Sequence, residues 1–390
     1  MTNSKPETRP SLRTWLAVIS LALGAAIIVT TEFLPVGFLP NVSADLHVSL
    51  GVAGLMVLVP GLSAAIAAPL VIVGAGRLDR RRMILVLGLL VAVSNLLASV
   101  APTFFVVLLA RVFLGIAIGG FWAVVPPLGF RLAGPRAGTR ATSIILAGLS
   151  AGTVVGLPAG QLLGHLIGWR ATFAGAAGAA ILIVAAQRVL LPELSSGGSM
   201  RFGHLAKVFR VPMARTVLVV GAVVTVGQFS ASTFVTPFLL QKADLASDLA
   251  TVLFLGYGLA GIVGTLLGSA LVARSRIWTF VGAAASFGVV LVFLPALSGA
   301  PITVSVLFVV WGLIWGLVPL ALQTLMLTTT PDAPEASAAV LMSVLQLAIA
   351  VGSALGGLLV DSAGLSLVFI VGGIIAIVAG LVASVARHGV

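Results

Sequence analysis

Apolar residues neither alternate with polar ones along this chain nor keep to one helical face. They run on continuously and are broken by short, arginine-rich joints. A membrane-spanning helix needs about 20 consecutive apolar residues, and it satisfies its own backbone where no water is available. Twelve stretches meet that length: roughly 15–39, 50–73, 83–101, 103–130, 141–164, 170–191, 216–240, 250–273, 277–296, 302–328, 335–359 and 364–386. The fold expected is therefore all-α, an integral membrane protein of twelve transmembrane helices. A transmembrane β-barrel would require strict alternation, and the pattern excludes it.

Composition agrees. Of 390 residues 60% are hydrophobic and 8% charged, against about 25% charged in soluble domains, so a soluble globule is excluded. With no cysteine, disulfides and thiolate metal sites are excluded too. The net charge of +11 is explained by where the charges fall. Assigning the joints alternately to two sides puts 18 of the 21 basic residues on the side of both termini, in groups such as Arg80, Arg81 and Arg82 or Arg131, Arg136 and Arg140. Arg170 and Lys242 fall on the other side, and Arg111 lies inside a stretch. Basic joints stay in the cytoplasm, so both termini are expected there. The excess charge meets anionic lipid headgroups rather than nucleic acid. Lys5, Arg9 and Arg13 ahead of the first stretch read as an uncleaved signal-anchor.

The longest internal polar stretch, 192–215, is Gly/Ser-rich and then basic, and reads as a cytoplasmic linker. It divides the chain into six-helix bundles at 1–191 and 216–390. The two echo each other. Thr31–Pro35 matches Thr233–Pro237 at an offset of 202, Phe121–Pro126 matches Ile314–Pro319 at 193, and Gly156, Gly160 and Gly168 match Gly352, Gly356 and Gly364 at 196. Two pseudo-symmetric six-helix bundles place a cavity at their interface, near mid-membrane. Pro35, Pro126, Pro158, Pro237 and Pro319 each delete a backbone donor. Gly152, Gly156 and Gly160 share one helix face, which serves either close helix packing or a hinge.

Reactive chemistry is sparse. No histidine or acidic cluster, no phosphate-binding loop and no nucleophile–base set lies within the stretches. No metal, cofactor or enzymatic activity is expected. Glu32 is the one acid well inside an apolar run, and Arg111 the one base. Such residues face a cavity or each other. Counting from the far ends of their stretches puts both at about 10–12 Å depth. A carboxyl in a low dielectric holds its proton, and a nearby guanidinium releases it. The pair therefore reads as a proton-coupling switch, with a fixed ion pair locking two helices as the competing reading. Thr31, Phe121, Trp122, Gln228, Phe234, Trp315 and Gln346 are the candidate substrate-binding residues, since amides with aromatics suit a polar solute with a flat face.

The segments Thr30–Gly37, Ala110–Gly115, Gly119–Trp122, Leu166–Arg170, Gly227–Phe229 and Trp311–Leu313 resemble the major facilitator superfamily. The likeness is to its twelve-span drug:proton antiporter branch, which includes bacterial sugar-efflux and purine ribonucleoside-efflux permeases. The resemblance implies alternating access by two rocking bundles in a bacterial cytoplasmic membrane, driven by protons. It implies proton transfer at Arg111 with Gly115, and conformational roles for Gly152, Gly156 and Gly160, with the span-5 proline displaced to Pro158. It implies a gating role for Asp79 and Arg80, where a local salt bridge is the other reading. The function expected is proton-coupled export of a small organic solute, nucleoside or sugar-like, by a monomer. The alternatives are multidrug efflux and, outside transport proper, a passive channel or a sensor.

Overall fold

The computed structural model describes residues 11–74, 78–125, 128–194, 202–330 and 334–386. Residues 75–77, Pro126 and the Gly/Ser-rich part of the linker lie outside them. Among the described residues twelve helices are long and apolar enough to cross a membrane. In the first half they are α1 (Leu12–Asp45), α2 (Leu55–Gly74, entered through a one-turn helix Leu50–Ala53), α3 (Arg80–Ser99), α4 (Phe104–Val124), α5 (Leu128–Leu166) and α6 (Trp169–Leu190). In the second half they are α7 (Pro212–Ser232), α8 (Ser247–Arg274), α9 (Arg276–Phe293), α10 (Pro301–Thr329), α11 (Pro334–Ala363) and α12 (Leu365–Ala386). Ser11, Ser49, Asp79 and Ser275 cap helices by accepting from backbone N–H groups, as their short oxygen side chains favour. A short helix, Phe202–Val208, lies in the linker.

Three elements differ from the pattern read along the chain. The first span runs on to Asp45 past a kink at Phe38. The fourth stretch ends at Val124, and a new helix starts at Leu128. The seventh breaks after Ser232 into a single turn and a π-turn, Phe238–Lys242. Apolar continuity marks where a chain sits in a membrane. It does not mark where proline breaks its hydrogen bonding.

Each half packs the same way, α1 on α5, α2 on α4 and α3 on α6, then α7 on α11, α8 on α10 and α9 on α12. Glycines set the register. A Cβ on Gly160 would lie 2.4 Å from the Leu34 carbonyl oxygen, and one on Gly356 2.4 Å from that of Ser230. A Cβ on Gly115 would lie 2.4 Å from the Pro60 oxygen, and one on Gly312 2.4 Å from the Tyr257 oxygen. These pairs are related by 196 (356 − 160, 230 − 34) and 197 (312 − 115, 257 − 60). The turns repeat as well: Gly168 and Gly364, 196 apart (364 − 168), have φ of +81° and +83°, a region glycine enters without strain. The packing positions of the duplication therefore repeat at 196–197. The offsets 202 and 193 match letters and not packing positions, because apolar helices share few letters.

The two halves meet along α2–α11 and α5–α8. The helix ends near Asp45, Ser49 and Asp361 define the face away from the termini, the far face.

Candidate functional site

Arg111 on α4 is completely buried. Its Nη1 donates to the Thr31 carbonyl at 3.1 Å, its Nη2 to the Glu32 carbonyl at 3.2 Å, and its Nε to the Met56 carbonyl at 3.0 Å. Proline explains two of these partners. In a helix the carbonyl of residue i accepts from the N–H of i+4, and proline has none. Pro35 leaves Thr31 without its donor, and Pro60 does the same to Met56. Arg111 supplies both, and so ties α4 to α1 and α2. The guanidinium also lies 5.9 Å from the Phe173 ring centroid.

Among the described residues Arg111 bonds to the main chain of Glu32 and not to its carboxylate. That carboxylate points the other way. Its Oε1 accepts from Gln346 Nε2 at 3.4 Å, a bond between α1 of the first half and α11 of the second. Glu32 is 9% exposed. At Gln346 a cavity of about 10 Å³ opens between the halves, lined also by Ala64, Ala68, Gly119, Trp122 and Ser343 among others. That is room for about one water.

The other candidates scatter. Trp122 and Gln346 meet at this cavity. Thr31 is buried inside the first half, where its hydroxyl accepts from Asn95 at 3.2 Å. Phe121 is buried edge-on to Trp122 in the same half. Gln228 is fully engaged in the second half, accepting from Trp311 Nε1 at 2.8 Å and donating to the Tyr257 hydroxyl at 3.0 Å. Trp315 is half-buried against Phe229 and Phe287. Phe234 sits in the seam between halves, where its ring leaves room for nothing larger than Gly54 and Gly356. Asp79 caps α3 and also accepts from the Leu194 N–H at 3.2 Å, while the Arg80 N–H donates to the Leu194 carbonyl at 3.0 Å. This pins the start of α3 to the segment after α6. Gly152, Gly156 and Gly160 all face α1, and Gly152 admits the Ala26 main chain. Pro158 lies in α5 between them.

The far-face seam is not visible in the sequence. Asp361, at the end of α11, accepts from the Ser49 hydroxyl at 2.5 Å and from the Gly51 N–H at 2.9 Å. Ser353 donates to the Gly54 carbonyl at 2.8 Å, and Gln161 Nε2 to the Ser247 hydroxyl at 2.8 Å. Thr236 donates to the Val36 carbonyl at 2.6 Å, which is the acceptor Pro40 strands. Ser49 is readable as a cap, but its partner lies 312 residues away. Asp361→Ala is expected to loosen this seam. Spin labels at Val48→Cys and Ser362→Cys, in a chain with no native cysteine, should show longer distances in the variant than in the parent. An unchanged distribution would mean the latch holds nothing.

Twelve membrane-length helices in two packed halves, with a carboxylate on the seam between them, define an integral membrane transporter. A sequence profile of the Major Facilitator Superfamily matches residues 21–346, and the chain belongs to that family. It is 32% identical over 359 residues to the purine ribonucleoside efflux pumps of Escherichia coli (strain K12) and Shigella sonnei (strain Ss046), an alignment covering 92% of this chain and 90% of theirs. Among solved structures, a bacterial homolog of the human lysosomal transporter Spinster, inward-facing and unoccupied, superposes with a TM-score of 0.77 at 15% identity, covering 99% of this chain and 98% of that one. A D-xylose–proton symporter gives 0.75 at 15% identity, covering 95% and 97%.

Proposed function

We propose that this protein exports purine-type nucleosides across a bacterial cytoplasmic membrane in exchange for protons, as a monomer, with Glu32 carrying the proton. The observation behind the reading is the bond between the Glu32 carboxylate and Gln346 of the opposite half. A carboxylate on a seam that opens and closes is solvated in one state and shielded in the other, and its proton affinity changes with that. Ionised, it can only accept from the amide; protonated, it can also donate to the amide oxygen. Each protonation state thus favours a different bonding arrangement across the seam. The nucleoside class follows the named activity of the relatives and the aromatic residues around the seam. The 18 basic residues on the termini side support cytoplasmic termini, which makes the far face external and the latched seam the outer gate.

Alternating access then has two parts. The outer gate closes through Asp361 and Thr236, while solute enters from the cytoplasm toward Trp122 and Gln346. Proton arrival at Glu32 accompanies the return from the outward-open state. Purified protein in liposomes tests this. With an imposed inside-acid gradient, labelled inosine and adenosine should accumulate, and sugars and antibiotics should not. Accumulation of antibiotics without nucleosides would replace the substrate reading, and gradient-independent leak of every solute would replace transport with a channel.

A further inference from the structure

Phe33 and Phe229 occupy corresponding places in the two halves, 196 apart (229 − 33). Each is backed by a glycine at that same spacing. A Cβ on Gly156 would lie 3.2 Å from Phe33 Cβ, and a Cβ on Gly352 would lie 3.2 Å from Phe229 Cβ. Gly156 and Gly352 so let α5 and α11 press α1 and α7 forward from behind. The two rings face each other across the seam, one from each half, with centroids 6.3 Å apart and planes inclined by 23°. Phe33 is half-buried and follows Glu32 directly in sequence. Trp315 stands edge-on to Phe229 at 6.5 Å. Among the described residues no other ring pair bridges the two halves in near-parallel stacking.

We infer that Phe33 and Phe229 form a two-sided clamp for the flat base of the transported nucleoside, with Trp315 closing one edge. This rests on the nucleoside reading above and adds the groups that read the base. A planar ring stacked on both faces needs the two phenyl planes about 7 Å apart, twice a carbon contact of about 3.5 Å. Because one ring belongs to each half, relative tilting of the halves widens or narrows this slot. The clamp therefore grips and releases with the same motion that opens the gates. In this structure the ring centroids are 6.3 Å apart, below the spacing a stacked base needs. Stacking tolerates any base, so the clamp selects for a flat ring and not for a hydrogen-bonding pattern. The adjacent Glu32 keeps the proton site within reach of the bound solute.

The test is counterflow of labelled inosine by the full chain in liposomes, for the parent and for Phe33→Leu, Phe229→Leu and Phe229→Trp. Leucine keeps the apolar bulk and removes the ring face. Each leucine variant should raise KM for inosine about 10- to 100-fold, and Phe229→Trp, which keeps a ring face, should raise it less than Phe229→Leu does. Emission from Phe229→Trp, taken as the difference from the parent, should be quenched by inosine and not by ribose. This second readout carries the test if a leucine variant does not fold. If the parent moves inosine while both leucine variants keep its KM, or if the tryptophan emission ignores inosine, the clamp is overturned and the nucleoside reading stands. If the parent moves no nucleoside at all, the nucleoside reading falls and the clamp falls with it.

Discussion

Arg111→Met is expected to abolish transport and to lower the thermal unfolding midpoint in detergent by more than Asp361→Ala, Glu32→Gln or Gln346→Leu does. Methionine matches the stem and fills much of the space, so packing is little changed. What is lost is the donor set. The carbonyls of Thr31 and Met56 lack the usual i+4 donor because Pro35 and Pro60 have no N–H, and Arg111 donates to each. A buried acceptor left without a donor costs about 1–3 kcal/mol, and two are stranded at once. A typical substitution costs about 1 kcal/mol. Arg111→Lys should recover part of the loss, since an ammonium is a compact donor that cannot span three carbonyls as the planar guanidinium fork does. A lysine variant with the parent's midpoint and rate would show that the charge matters and the fork does not. The prolines give a further check. Restoring the N–H with Pro60→Ala in the Arg111→Met background should return part of the lost stability.

Glu32→Gln should have the opposite character: a folded protein with altered coupling. The amide is nearly isosteric with the carboxyl and can still accept from Gln346, so the seam is preserved. It cannot ionise. Solute exchange at equal pH should continue, while accumulation against a gradient should fall to the level of exchange alone. The ratio of internal to external inosine under an inside-acid gradient measures this directly. Gln346→Leu removes the other partner and leaves the carboxylate without its donor across the seam. It should keep some coupling but weaken gradient-driven accumulation relative to exchange.

Span number and the isolation of Glu32 and Arg111 are legible in the sequence, because they follow from apolar run length and from the scarcity of charge in those runs. Pro35 is legible as a lost donor. Only the structure shows which side chain answers it, and that Pro60 and Pro40 strand acceptors answered in the same way: Arg111 for Pro35 and Pro60, and Thr236 for Pro40. That pairing needs the helix packing register, and apolar letters define register poorly. The same weakness produces the offsets 202 and 193 where packing runs at 196 and 197. Agreement in depth makes Arg111 and Glu32 look like facing partners. They are adjacent, but α1 turns the carbonyl of Glu32 to α4 and its carboxylate to α11. Polarity alone suggests Gln228 as a solute ligand, yet Tyr257 and Trp311 absorb both ends of its amide. The far-face latch joins Ser49 to Asp361, a contact between halves that no local pattern encodes.

Solute movement and proton movement should be one event at Glu32. Liposomes holding the purified protein and a trapped pH-sensitive dye, with no initial gradient, report this when inosine is added to one side. The parent should move protons opposite to inosine, and Glu32→Gln should exchange inosine with no change in dye signal. Equal proton movement by the parent and by Glu32→Gln would contradict the assignment.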